Sequence, residues 1–223
     1  MIKSHSYQPM PTINYASKEI QFKIVYYGAA LCGKTTNLVY IHSRIAPAYR
    51  GDLVSLATAA DRTLFFDFLP LHAVMLQGFK TKFQLYTVPG QVIYDATRQL
   101  VLRNVDGVVF VADSLWDKME ENVASFRNLE QNLHKQGLSV DALPYVLQFN
   151  KRDLQDVAPT NYLEYLLNNR KRRIQSFEAA ANTGVNVFST LDAVTQLLLH
   201  KFSKERGQLL PAPGKQAARE ASG

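Results

Sequence analysis

Residues 28–35 have the types and spacing that bind a chain of phosphates. They spell Gly-Ala-Ala-Leu-Cys-Gly-Lys-Thr, which matches the pattern G-x-x-x-x-G-K-[ST]. The two glycines let the backbone approach closely, so successive N–H groups point at one anion. Lys34 supplies a charge for the β- and γ-phosphates, and the Thr35 hydroxyl can ligate Mg²⁺. The pattern predicts phosphate contacts from Gly28, Ala29, Ala30, Leu31, Cys32, Gly33, Lys34, Thr35 and Thr36.

A second polar group, Asn150-Lys151-Arg152-Asp153, directly follows a later apolar run. In an N-K-x-D tetrad, the carboxylate can accept hydrogen bonds from N1–H and N2–H₂ of guanine, whereas adenine has no such pair of donors. Alone, the tetrad is equally consistent with a polar loop that ends a strand. After a phosphate loop it indicates GTP, with Asn150, Lys151 and Asp153 at the base. An ATP-using enzyme is the alternative, and it would make the tetrad accidental.

A third group is Val88-Pro89-Gly90-Gln91. The comparable strand of GTPases ends in D-x-x-G-Q, where the glycine N–H meets the γ-phosphate and the glutamine orients the attacking water. Here Thr87 occupies the place of the acid. A plain Pro-Gly turn between a strand and a helix is the competing interpretation.

These groups must be positioned by strands, and short apolar runs precede each of them. The runs are apolar at consecutive positions, which is typical of strands covered on both faces in a parallel sheet. Helical periodicity fills the segments between them. In such doubly wound sheets, ligands bind at the carboxyl ends of the strands. The predicted strands are 22–27, 83–88, 108–112, 145–149 and, more weakly, 174–179.

The run 63–69 is also strand-like, and no helical stretch separates it from the run that starts at Phe83. We therefore expect these two runs to pair as an antiparallel hairpin at the sheet edge. The predicted fold is α/β: a single P-loop domain with a mostly parallel, doubly wound sheet, one antiparallel edge hairpin and helices on both faces.

The 223 residues suffice for one domain with extensions, and we divide them into an arm (1–17), a domain (18–203) and a disordered basic tail (204–223). The net charge is +6, but residues 1–18 and 204–223 each carry +2. This distribution argues against nucleic-acid binding. One cysteine and no apolar run near 18 residues favour a cytoplasmic protein without a transmembrane segment. The basic run 170–173 is either a solvated helix end or a patch for an acidic partner or anionic lipid, which leaves peripheral membrane contact open.

Together these motifs resemble small Ras-like GTPases, and more narrowly the MglA-type bacterial GTPases of cell polarity and gliding motility. The narrow resemblance spans about residues 13–203. It rests on the motifs above and on Asp61-Arg62-Thr63-Leu64-Phe65-Phe66-Asp67-Phe68-Leu69-Pro70.

The resemblance implies roles for further residues. Thr63 would reach Mg²⁺ and the γ-phosphate, and Arg62 would be an arginine finger supplied in cis. Gln91 would place the water, and Asp67 would hold Mg²⁺ through water in place of the acid missing at Thr87. The backbone N–H of Ala181 would touch the base. Arg62 as a surface charge and Asp67 as a solvent-facing side chain are the alternatives.

The same resemblance implies GTP/GDP and Mg²⁺ as ligands and a Roadblock-type (MglB-like) activating protein as a partner. Polarity or motility effectors would bind as well, and the protein would be concentrated at a cell pole. One departure is Ala30, where relatives carry glycine, because a methyl group approaches the space that the glutamine needs. We therefore expect slow intrinsic hydrolysis. A GTP-bound scaffold with negligible hydrolysis is the alternative that Ala30 and Thr87 favour.

Overall fold

A computed structural model describes residues 11–55, 66–76, 78–170 and 173–209 of the chain. The strands are β1 (Thr12–Asn14), β2 (Glu19–Tyr27), β3 (Val54–Ser55), β4 (Asp67–Leu76), β5 (Phe79–Thr87), β6 (Gly107–Asp113), β7 (Tyr145–Asn150) and β8 (Ser176–Glu178). The α-helices are α1 (Lys34–Arg44), α2 (Asp95–Val101), α3 (Met119–Lys135), α4 (Thr160–Leu167) and α5 (Val187–Leu209).

The strands form one mixed sheet in the order β3-β4-β5-β2-β6-β7-β8, and β1 pairs with β2 beside this path. Strands β5, β2, β6, β7 and β8 run parallel to their neighbours in this set. The doubly wound, mostly parallel sheet predicted from the sequence is therefore confirmed. Because parallel strands point the same way, the carboxyl ends of β2, β5, β6 and β7 meet at one edge of the sheet.

Helices cover both faces of the sheet. Along β6 the side chains alternate, so that Val108 and Phe110 pack on one face while Val109 and Val111 pack on the other. Helices α2, α3 and α4 contribute to the first core, and α1 and α5 contribute to the second. All seven residues of β6 are buried. Burial on both faces explains why this run is apolar almost throughout.

The expected antiparallel hairpin is formed by β4 and β5, with pairs from Phe68↔Tyr86 to Leu76↔Phe79. Strand β4 continues beyond the predicted end at residue 69, through Pro70. Proline is tolerated there because its backbone polar groups face away from β5: the Pro70 carbonyl oxygen accepts a hydrogen bond from the N–H of Gly51 (2.9 Å) on the outer side, so the ladder with β5 needs no N–H at position 70.

A second antiparallel pair was not expected: β1 folds back on β2. The side chain of Asn14 accepts hydrogen bonds from the backbone N–H groups of Ala16 (3.0 Å) and Ser17 (3.1 Å). Lys18 then adopts a left-handed backbone conformation at φ 51°. This Asx-type reversal is built from side-chain chemistry that a search for apolar periodicity does not register.

At the other end of the chain, α5 runs to Leu209 and thus past the boundary placed at residue 204. The division into arm, domain and tail stays a prediction. Among the described helices, none has the length and apolar character needed to cross a membrane.

Candidate functional site

The phosphate loop joins β2 to α1 and passes very close to the two central strands that follow. A Cβ on Gly28 would lie 2.2 Å from the carbonyl oxygen of Val111, and one on Gly33 would lie 2.1 Å from Nδ2 of Asn150. Gly33 also has φ +102°, which side chains disfavour. Both glycines of the motif are therefore required by the packing, and the backbone cradle suits an anion at the N-terminus of α1.

Lys34, the first residue of α1, is buried beneath this loop. Its ammonium donates hydrogen bonds to the carbonyl oxygens of Gly28 (3.1 Å) and Ala29 (2.5 Å). Burial is the main cause that lowers the pKa of Lys34. Within the described residues, no carboxylate lies within ion-pair distance of its Nζ. An ammonium at this place can form charge-assisted hydrogen bonds to phosphate oxygens.

Asp67, at the start of β4, brings together the residues around the predicted metal position. Its Oδ2 accepts hydrogen bonds from Thr35 Oγ1 (2.6 Å) and Thr87 Oγ1 (2.9 Å), and its Oδ1 accepts one from Ser55 (2.7 Å). The side chain is almost wholly buried, so it does not point to solvent. A carboxylate beside the threonine hydroxyl of the phosphate loop is a donor set that suits Mg²⁺.

A cavity of about 410 Å³ lies over the phosphate loop. It brings residues from the loop together with the end of β5. Its lining includes Ala30, Leu31, Gly33, Lys34, Thr35, Thr36, Thr87, Gly90 and Gln91. The Gln91 side chain is exposed to solvent at its rim. Two of the three motifs found in the sequence therefore share one cavity.

Ala30 lies directly against Gly90. A Cβ placed on Gly90 would be 2.3 Å from the Cα of Ala30 and 3.0 Å from its Cβ. Only glycine fits at position 90 while the loop has this shape. Ala30 and Gln91 line the same cavity, and the effect of the Ala30 methyl group on hydrolysis stays a prediction.

A smaller cavity of about 160 Å³ lies beside the first, and it is lined by Asn150, Lys151 and Asp153 of the N-K-x-D tetrad. Asn150 connects its walls: its Nδ2 donates to the carbonyl oxygen of Cys32 (2.8 Å), and its Oδ1 accepts from the N–H of Ala181 (2.9 Å). The Asp153 carboxylate is exposed and accepts a hydrogen bond from Asn182 (2.9 Å). The Ala181 N–H, assigned to the base by resemblance, thus has a partner in Asn150, and its role toward a base stays a prediction.

One residue that contacts the lysine of this pocket was not identified from the sequence. Asp113, the last residue of β6, is buried and forms an ion pair with Lys151 at 2.5 Å. Lys151 has a left-handed backbone conformation (φ 68°). Asp113 therefore fixes the lysine of the tetrad. The signal available in the sequence was an acidic residue at the carboxyl end of a central strand, where site residues collect.

Two predicted site residues, Arg62 and Thr63, lie outside the described residues. The basic run 170–173 is described only at its ends. Arg170 pairs with Glu130 and Asp141 and packs on the Phe126 ring, while Arg173 pairs with Glu164. These contacts favour the solvated helix end over a free patch for the two described arginines.

Comparison with known proteins agrees with this geometry. A model of the Ras family matches residues 23–200. The chain is 54% identical over 195 residues to the mutual gliding-motility protein MglA of Myxococcus xanthus, covering 87% of this chain and 99% of that protein. It is 23% identical over 194 residues to the Ras-related protein rab-39 of Caenorhabditis elegans, covering 87% and 79% of the two chains.

The position of Asp67 predicts a specific effect on magnesium. In D67N the charge beside Thr35 is lost while the shape is kept, and losses of this kind typically weaken metal binding about 10–100-fold. We expect the Mg²⁺ midpoint, the concentration at which release of a fluorescent GDP is half-maximally slowed, to rise by that factor. D117N, at an exposed side chain whose ion pair is with Lys118, is the control. An unchanged Mg²⁺ midpoint in D67N would contradict the assignment.

The position of Asp153 predicts a change of base preference. D153N replaces an acceptor by a donor, so guanine loses two charge-assisted hydrogen bonds and its affinity falls by about 100-fold or more. Xanthine, whose O2 is an acceptor, should gain. Titration of GDP and xanthosine diphosphate measures both effects. D156N, in the same loop, should keep the guanine preference; a D153N protein that also keeps it sinks the assignment.

Proposed function

This chain belongs to the Ras family as a GTPase of the MglA type, and we propose that it is a molecular switch that chooses partners by its bound nucleotide. GTP with Mg²⁺ would order residues 46–63 and 90–103, and hydrolysis would release them. The GTP-bound and GDP-bound forms would then present different surfaces to other proteins.

One observation carries this proposal. A single cavity is bordered by the buried Lys34, by Thr35, which bonds to Asp67, and by the Gly90-Gln91 turn. That arrangement combines an anion site, a candidate metal site and a candidate water-positioning residue. The pocket around Asn150 and Asp153 adjoins this cavity, because Leu31, Gly33 and Thr36 line both.

The residues would act on the γ-phosphoryl group mostly by position and charge. Lys34 would bind the β- and γ-phosphates, and the Gly90 N–H would bind the γ-phosphate. Gln91, exposed at the cavity rim, would orient the attacking water. Arg62 would stabilise the charge that spreads over the phosphoryl oxygens, an effect worth about 10³–10⁵ in rate in related enzymes.

Thr35 and Thr63 would ligate Mg²⁺ directly, and Asp67 would hold it through water. The ion would neutralise charge between the β- and γ-phosphates. Asp67 on β4 would replace the acid that other GTPases carry at the position of Thr87. The Thr87 hydroxyl donates a hydrogen bond to the Asp67 carboxylate, so this carboxylate lies next to the position of the missing acid. The hydrogen bond between them supports the exchange of roles.

The alternative, a scaffold that holds GTP with negligible hydrolysis, is favoured by the contact between Ala30 and Gly90. It is opposed by the hydrogen bonds that Asp67 accepts from Thr35 and Thr87, because they place a carboxylate where Thr87 itself supplies none. We therefore favour a slow hydrolase over an inactive one.

The 54% identity to a gliding-motility protein supports a role in cell polarity or motility for this chain. We propose that it is cytoplasmic and concentrates at a cell pole. Its partners would be a Roadblock-type, MglB-like activating protein and effectors of polarity or motility.

The proposed switch is tested by GTP hydrolysis with purified, nucleotide-free protein, with and without a Roadblock-type protein from the same genome. We expect tight GTP binding, slow phosphate release alone and faster release with the partner. R62A and Q91A should then lose most of the accelerated rate. Tight binding with no phosphate release under either condition would favour the scaffold.

Removal of the Ala30 methyl group should speed hydrolysis. A30G removes the methyl group beside the Gly90-Gln91 turn, and we expect a rise of up to about tenfold, or 1.4 kcal/mol of barrier, in the single-turnover rate. A193G, a similar loss of a methyl group in α5 remote from the cavity, controls for general loosening. An A30G rate no higher than that of the unaltered protein would refute the explanation.

A further inference from the structure

Arg98 of α2 is completely buried and binds the backbone of the turn that lines the cavity. Its Nε donates to the carbonyl oxygen of Pro89 at 2.8 Å, and its Nη2 donates to the carbonyl oxygen of Gly90. Its Nη1 donates to Oδ1 of Asn128 at 2.7 Å. The guanidinium carbon also lies 5.1 Å from the centre of the Tyr27 ring. Two carbonyl groups of one turn are thus held by one rigid side chain.

The chain holds this buried charge in an unusual way. Among the described residues no carboxylate forms an ion pair with Arg98. Asp95 is linked to it through an amide, because Asn128 accepts from Arg98 and donates to Asp95 (2.8 Å). The neighbouring Asn132 also donates to Asp95 (2.6 Å). Burying a charge without a direct counter-ion destabilises a fold, so such a group calls for a functional explanation.

The geometry of the peptide unit supplies one. In a trans peptide the N–H points opposite to the C=O. Fixing the carbonyl of Pro89 therefore aims the N–H of Gly90 away from Arg98, and fixing the carbonyl of Gly90 does the same for the N–H of Gln91. On its other side Gly90 packs against Ala30 of the phosphate loop, so the turn is clamped between α2 and the loop.

We propose that Arg98 is a positioning residue that aims the Gly90 N–H at the γ-phosphate and holds the backbone from which Gln91 reaches the water. This rests on the proposed function, in which Gly90 contacts the γ-phosphate. Arg98 itself touches no substrate atom. Its effect is to distinguish GTP from GDP, since the γ-phosphate is the group that only GTP carries.

A second observation agrees with this assignment. Burial is the main cause of the lowered pKa of Lys34, and the charge of Arg98 adds to it. The positive charge of Arg98 is therefore felt at Lys34. Replacement of Arg98 by a neutral side chain should remove both this charge and the alignment of the turn.

The test measures binding separately from catalysis. Dissociation constants for a fluorescent GDP and a fluorescent, non-hydrolysable GTP analogue are measured with unaltered protein, R98M and R98K. We expect R98M to bind the GTP analogue at least tenfold more weakly while GDP binding changes less than threefold. R98K keeps the charge but lacks the planar fork that bonds Pro89, Gly90 and Asn128 together, so its loss should be intermediate.

N168A controls for stability, because Asn168 is a buried residue that bonds backbone groups of Ile174, remote from the cavity. It should unfold at lower temperature yet keep the ratio of the two affinities. If R98M leaves the ratio of the GTP-analogue and GDP affinities unchanged, whether or not both affinities fall, the proposal is overturned. Failure of the proposed function would appear instead in the unaltered protein, as an absence of hydrolysis.

Discussion

A triphosphate can be bound tightly only where positive charge and free N–H groups are held in place before the ligand arrives. In this protein that requirement sets the packing of the whole sheet edge. Gly28 and Gly33 lack side chains because β6 and β7 lie within about 2 Å of where a Cβ would be. Lys34 lies buried under the same loop. The parallel strands, the glycines and the buried lysine form one arrangement.

Asp67 adds a feature that a purely parallel sheet would not provide. It stands on β4, an antiparallel strand near the sheet edge, yet its carboxylate reaches Thr35 at the start of α1. The candidate metal site is therefore tied to the hairpin of β4 and β5. A change in the position of this hairpin would move the carboxylate, so the fold couples the metal site to a surface strand.

The sequence predicted the local parts of this account well. The strand runs and the loops after them were found because each signal lies within about eight consecutive residues. The Asn14 turn, the link from Asp113 to Lys151 and the contacts of Arg98 were missed. Arg98 stands in a short helix with an ordinary polar pattern, and its partners Pro89 and Asn128 are nine and thirty residues away. No pattern in one chain reveals which distant carbonyl groups a buried arginine will bind.

We propose that two adjoining cavities bind the phosphates and the base of a guanine nucleotide. The most direct test is displacement of a fluorescent GDP from the protein in Mg²⁺ by unlabelled GTP, GDP and ATP. The account predicts that GTP and GDP displace the probe at similar low concentrations and that ATP fails to do so even in large excess. Displacement by ATP as effective as that by GTP would contradict it.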